Sequence, residues 1–189
     1  MRLFVAADLP KEVRARLAEM QRALADLPLP VRWVAPGRVH LTLKFLGEAA
    51  PGRRAAIEAA LAAPAATLAP FRLAASGVGT FPERGAPRVI WVGLEGDVAA
   101  ARHLQEAVEA AVAPLGFARD DHPFTPHLTL GRVKGPGRGD PRPLLARLGP
   151  EGASEFLVHD YVLFESRLGS GGASYTPLAR YPLRGAEAR

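Results

Sequence analysis

Apolar positions along the chain change period several times, and those changes outline its elements. The opening RLFVAADLP is a short apolar run closed by Pro10, which predicts a buried strand. Val13, Leu17, Met20, Leu24 and Leu27 then recur at three- and four-residue steps with charges between them, the pattern of an amphipathic helix. Pro28 and Pro30 stop it. VRWVAPGRVHLTLKFLG contains two strand-like pieces around a Pro-Gly turn. An alanine-rich stretch from Arg53 to about Leu61 predicts a second helix, which Pro64 limits.

FRLAASGVGTF and RVIWVGLEG read as strands joined by the polar loop around PERGAP. From Val98 to Leu115 the period returns to that of a helix, with Leu104, Val108, Val112 and Leu115 on one face and Gly116 as its stop. FTPHLTLGRV gives way to the Gly/Pro/Arg loop KGPGRGDPRP, a short helix over 144–148, and the strands EFLVHDYVLFESRL and YTPLARYPLR. Strands and helices in this order predict an α+β fold. A long helix accompanies an HLTL strand in each half, which points to an internal duplication with two pseudo-symmetric lobes packed as one domain over residues 1–189.

The repeated tetrapeptide carries the chemistry. Alternate strand residues share a face, so His40, Thr42 and Lys44 are expected on one side of their strand and Leu41, Leu43 and Phe45 on the other. In the second copy His127 and Thr129 share a face, opposite Leu128 and Leu130. Lobes related by a two-fold would turn the two histidines toward each other across a groove. Such a pair suits phosphodiester chemistry, because a neutral imidazole can take a proton while an imidazolium gives one. It predicts a bell-shaped pH–rate curve flanking neutrality. The threonine hydroxyls can donate to phosphate oxygens. His103, His122 and His159 do not share the pattern and are assigned to structure or surface.

Composition narrows the choices. With 48% hydrophobic residues the chain is expected to be ordered, and the absence of cysteine removes disulfides, thiolate nucleophiles and cysteine-based zinc sites. The net charge of +5, almost all of it arginine, favours an anionic partner, although codon bias gives the same composition. The N-terminus lacks the look of an export signal and no window could cross a bilayer, so a soluble, cytoplasmic, membrane-free protein is expected. No H-x-H or H-x-x-x-H spacing occurs, which argues against a metal-dependent phosphoesterase. A non-catalytic RNA- or nucleotide-binding module is the other alternative, though binding alone needs cations more than a proton shuttle.

The motifs His40-Leu-Thr42 and His127-Leu-Thr129 resemble those of the 2H phosphoesterase superfamily. RWVAPGRVHLTLKFLGE, FPERGAPRVIWVGL, FTPHLTLGRV and LFESRLGSGGASYTPLARYPL are similar to its RNA 2′,3′-cyclic phosphodiesterase (2′-5′ RNA ligase) branch. The resemblance implies two lobes, each an antiparallel sheet with helices on its outer face, flanking an active-site groove. It implies cofactor-free, metal-free hydrolysis of an RNA terminal 2′,3′-cyclic phosphate to a 2′-phosphomonoester, with 2′-5′ ligation as the reverse reaction. His40 would be proton donor and His127 proton acceptor, with Thr42 and Thr129 on the phosphate. The substrates would be RNA ends, tRNA fragments among them, or small cyclic nucleotides, and a monomer is favoured.

Two cations and an aromatic complete the expectations. Family members often carry an arginine at the position of Arg132, but strict alternation turns that side chain away from His127 unless the strand bulges near Gly131. Lys44 has the right parity to serve instead. Arg138 and Arg142 could touch an RNA backbone. One of Phe4, Trp33, Phe81 or Phe124 would be the exposed ring on which a base stacks.

Overall fold

Strand β1 (Arg2–Ala7) buries five of its six side chains, as its unbroken apolar run requires. It lies between β3 (Leu41–Glu48) and β8 (Asp160–Gly169), and β8 pairs onward with β9 (Gly172–Pro182). A second group runs β6 (His127–Val133), β5 (Val89–Gly96), β4 (Phe71–Phe81) and β7 (Ser154–Val158), with the short β2 (Val31–Trp33) also paired to β6. All these ladders are antiparallel. The computed structural model describes residues 1–26, 29–135, 145, 154–169 and 172–186. The short helix expected over 144–148 therefore lies outside the described residues, apart from the buried Leu145.

The two groups of strands meet where β3 pairs with β6 at Leu41 and Leu128. They are not simply the two halves of the sequence. β4, which ends the first half, adds to β5 of the second group; β8, from the second half, adds to β1 of the first. Each half thus lends two strands to the other lobe, β2 and β4 in one direction and β8 and β9 in the other. The lobes are interlocked as well as packed together.

Among the described residues, three long helices cover the sheet. Helix α1 (Lys11–Ala23) buries Val13, Leu17 and Gln21 and packs against β7. Helix α3 (Val98–Val112) buries Leu104, Val108 and Val112, the face its period predicts. Helix α2 (Arg54–Thr67) runs through Pro64 instead of stopping before it. Pro64 costs one backbone hydrogen bond, but it lies in a buried stripe with Ile57, Leu61 and Ala65, and the Leu68 N–H closes the helix on its carbonyl at 3.1 Å. Tertiary burial overrides the local stop. One apolar cluster runs from β1 and β3 through all three helices to β6 and β8.

Candidate active site

β3 and β6 carry the two motifs, and their antiparallel register at Leu41 and Leu128 sets how the motifs face each other. Continued by one residue each way, it stands His40 across from Thr129 and Thr42 across from His127. Leu41 and Leu128 are fully buried, so the polar members are forced to the other side. There they line one cavity of about 400 Å³, together with Phe45, Arg132 and Tyr175.

The two histidines are held alike. Nδ1 of His40 lies 2.8 Å from the Arg38 carbonyl oxygen, and Nδ1 of His127 lies 2.8 Å from that of Thr125. A carbonyl only accepts, so each Nδ1 carries the proton and donates it. Nε2 is left as the free nitrogen of each ring. An aromatic ring supports each imidazole. Phe4 stacks on His40 at 4.8 Å, and Phe81 meets His127 edge-on at 5.0 Å. Phe4 is buried. It and Phe81 are therefore supports for the histidines, not free stacking platforms. Trp33 and Phe124 are half-buried against the core.

The apolar setting sets their proton affinity. Burial lowers the His40 imidazolium from 6.5 to about 4, more than the Arg38 carbonyl and Asp8 restore, and Arg14 lowers it a little further. Burial also lowers His127, against the Thr125 carbonyl, with the charge of Arg132 adding to the fall. The expected flanking of neutrality is thus displaced downward in the free protein. The hydroxyls of Thr42 and Thr129 have no hydrogen-bond partner among the described residues and are available to an incoming oxyanion.

Alternation fails beyond each threonine, and the failure decides where the cations go. In β3, Ala6 pairs with Thr42 and Val5 with Lys44, so Leu43 is an extra residue. In β6, Trp91 pairs with Thr129 and Ile90 with Gly131, so Leu130 is extra. Each bulge inverts the parity that follows it. Arg132 accordingly turns into the groove. Lys44 turns the other way, and its expected place beside the histidines is incorrect. Its ammonium is 2% exposed and donates to Glu109 at 2.7 Å, Asp120 at 2.9 Å and the Ala118 carbonyl at 2.7 Å. Desolvation opposes its charge, but Glu109 and Asp120 together raise its pKa above the ordinary value. Phe45, assigned by alternation to the leucine face, emerges instead as the exposed ring, at 58% exposure.

A glutamine holds the second bulge. The Leu130 carbonyl accepts from the Val34 N–H at 2.8 Å and from buried Gln21 Nε2 at 2.9 Å. Gln21 also donates to the Val34 carbonyl at 2.6 Å. Nothing in the helical pattern of α1 distinguishes Gln21 beyond a polar residue at the position of a buried one. Tyr175, 5.4 Å from His40 across the groove, was equally hidden, since β9 is brought there only by the sheet. Arg138 and Arg142 lie outside the described residues.

The description "LigT like Phosphoesterase" matches this chain twice, over residues 7–91 and 92–175, with one H-x-T motif in each stretch. The chain belongs to the LigT-like phosphoesterase family. The double match gives the duplication its boundary, which falls within β5. An RNA 2′,3′-cyclic phosphodiesterase of Thermus thermophilus is 40% identical over 100% of this chain and 93% of its own. One of Geobacillus stearothermophilus is 38% identical over 97% of this chain, which spans 57% of that protein's length. The crystal structure of TT0787 of Thermus thermophilus superposes with a TM-score of 0.83 at 35% identity, covering 98% of this chain and 99% of its own.

His103, His122 and His159 are exposed and stand away from the groove lining. Among the described residues no three His, Asp or Glu side chains converge as metal ligands would, and no helix is long and apolar enough to cross a membrane.

Proposed function

We propose that the chain hydrolyses a ribonucleoside 2′,3′-cyclic phosphate at an RNA end to the 2′-phosphomonoester. The observation that carries this reading is the shared orientation of the two imidazoles. Both are pinned through Nδ1 to a carbonyl two residues back, and both leave Nε2 free in one groove that, among the described residues, contains no carboxylate. The relatives' names supply the substrate class.

In the reaction, Nε2 of His127 takes a proton from water as its oxygen bonds to phosphorus. The P–O3′ bond breaks, and Nε2–H of His40 delivers the proton that O3′ needs. Thr42 and Thr129 donate to the non-bridging oxygens, and Arg132 opposes the charge that builds there. The geometry treats the two histidines alike, so the roles of donor and acceptor follow the family. His40 must first be charged to act as donor. The phosphate supplies the attraction that its buried setting withholds. A 5′-hydroxyl in place of water gives 2′-5′ ligation by the same path, with O3′ again the leaving oxygen.

The setting proposed is a cytoplasmic monomer acting on RNA ends, tRNA fragments included. The test is turnover of an oligonucleotide ending in a 2′,3′-cyclic phosphate, with excess chelator present and with the product phosphate located. A 2′-phosphate, lost in both His40→Ala and His127→Ala, is the expected result. Activity that depends on added metal, or that survives either substitution, would refute the reading.

A further inference from the structure

A second cavity of about 200 Å³ opens beside the histidine groove and shares Arg38, Arg132 and Tyr175 with it. Its own contributions include Arg32 and Trp33. Arg32 stands directly across the β2–β6 ladder from Arg132. Like charges at such a position repel and cost stability in the free protein. A methyl group at Gly172 would lie 2.9 Å from Nη2 of Arg32 and 3.1 Å from Nη1 of Arg38, so the two guanidinium tips reach the same point over β9.

None of the three arginines has a carboxylate partner among the described residues, and no described Asp or Glu lines either cavity. Arg14, Arg54, Arg167 and Arg180, by contrast, are each paired with an acid. Three converging guanidinium groups with no counter-charge among the described residues suit an anion. Arg32 lines the second cavity and not the histidine groove, so it is not placed to meet the reacting phosphorus.

We propose that Arg32, Arg38 and Arg132 bind a second phosphate of the substrate, the one carried on O5′ of the terminal nucleoside. The proposal rests on the groove holding that nucleoside's cyclic phosphate. One nucleoside then bridges the two cavities through their common wall at Arg38, Arg132 and Tyr175. A guanidinium fork suits a phosphodiester or a phosphomonoester equally, so the phosphate can belong to the preceding link of an RNA strand or to a free nucleotide.

Three substrates separate these cases: adenosine 2′,3′-cyclic phosphate with a free 5′-hydroxyl, the same molecule with a 5′-phosphate, and the dinucleotide UpA ending in the cyclic phosphate. At low salt a 5′-phosphate, in at least one of its two forms, is expected to lower KM by about tenfold or more. Arg32→Ala should bring the KM ratio close to one, and Arg32→Lys should restore part of it. A gain for UpA identifies the strand as the source; a gain confined to the 5′-monophosphate identifies a free nucleotide. Equal KM values for all three substrates, or a ratio that survives Arg32→Ala, would overturn the proposal.

Calorimetric binding of adenosine 2′,5′-bisphosphate against adenosine 2′-phosphate gives a readout without turnover. If no cyclic substrate reacts but the bisphosphate still binds more tightly in an Arg32-dependent way, the catalytic reading fails and the second site stands. If turnover is seen and the bisphosphate has no advantage, the second site falls alone.

Discussion

Phe45 and Arg132 hold equivalent places in the two halves of the protein. Each is the fifth residue after its motif histidine, and each is turned into the groove by a bulge at the motif's second leucine, Leu43 or Leu130. The backbone device is duplicated while the side chains have diverged. One end of the groove offers an apolar ring and the other a cation, so a symmetric pair of histidines sits in an asymmetric cleft.

The pH dependence should expose the buried setting of that pair. The kcat/KM profile reports the free protein, in which both imidazoles are lowered, so its optimum should fall below pH 6.5. The kcat profile reports the complex, where phosphate attracts the protons, and its optimum should lie higher. Initial rates between pH 4 and 9 give both curves, and coincident optima would contradict this account.

Stability should carry the same signature. With a native value of about 4 against 6.5 when unfolded, His40 binds its proton more readily in the unfolded chain. Its contribution is complete above pH 6.5 and lost as pH falls toward 4, by up to about 3 kcal/mol. Urea melts at pH 7 and pH 4.5 should show that loss, and His40→Gln should reduce the difference between them.

Lys44 and Arg132 should respond in opposite ways to loss of charge. Lys44→Met leaves Glu109 buried at 5% exposure without its cation, which should destabilise the fold by about 3–5 kcal/mol in chemical melts. Arg132→Gln, at an exposed position, should leave the melt nearly unchanged and lower kcat/KM by about 10²-fold.

Gln21 should link the fold to the site. Gln21→Ala removes one partner from the Leu130 carbonyl and should cost about 1–3 kcal/mol of stability. Because that carbonyl belongs to the bulge that aims Arg132, kcat/KM should fall as well. The fall should be smaller in an Arg132→Gln background, and a double-mutant cycle measures the coupling.

Phe45→Ala tests the exposed ring. At 58% exposure its removal should affect stability little, whereas binding of nucleotide ends should weaken by about 1–3 kcal/mol if a base rests on it. Unchanged affinity would assign Phe45 to the surface.

Much of this was legible in the residues. The repeated H-x-T spacing picked out His40, Thr42, His127 and Thr129, because strand alternation over three residues is a local property. Beyond the third residue the rule broke. Lys44 and Phe45 exchanged their expected faces at Leu43, a bulge whose position depends on pairing with β1. Pro64 stops a helix by local rules, and burial of its neighbours carried α2 past it.

By itself the sequence determined the periodicities, and through them the strands, the long helices and the two polar triplets, since these follow from side-chain alternation and from which residues avoid water. Only the tertiary structure decided which charges enter the groove. It did so by pairing β3 with β1 and β6 with β5 in registers that each leave one leucine over, and by bringing Gln21, Tyr175 and Arg32 from distant segments. Register is set by contacts between strands far apart in the chain, and no window of neighbouring residues contains that information.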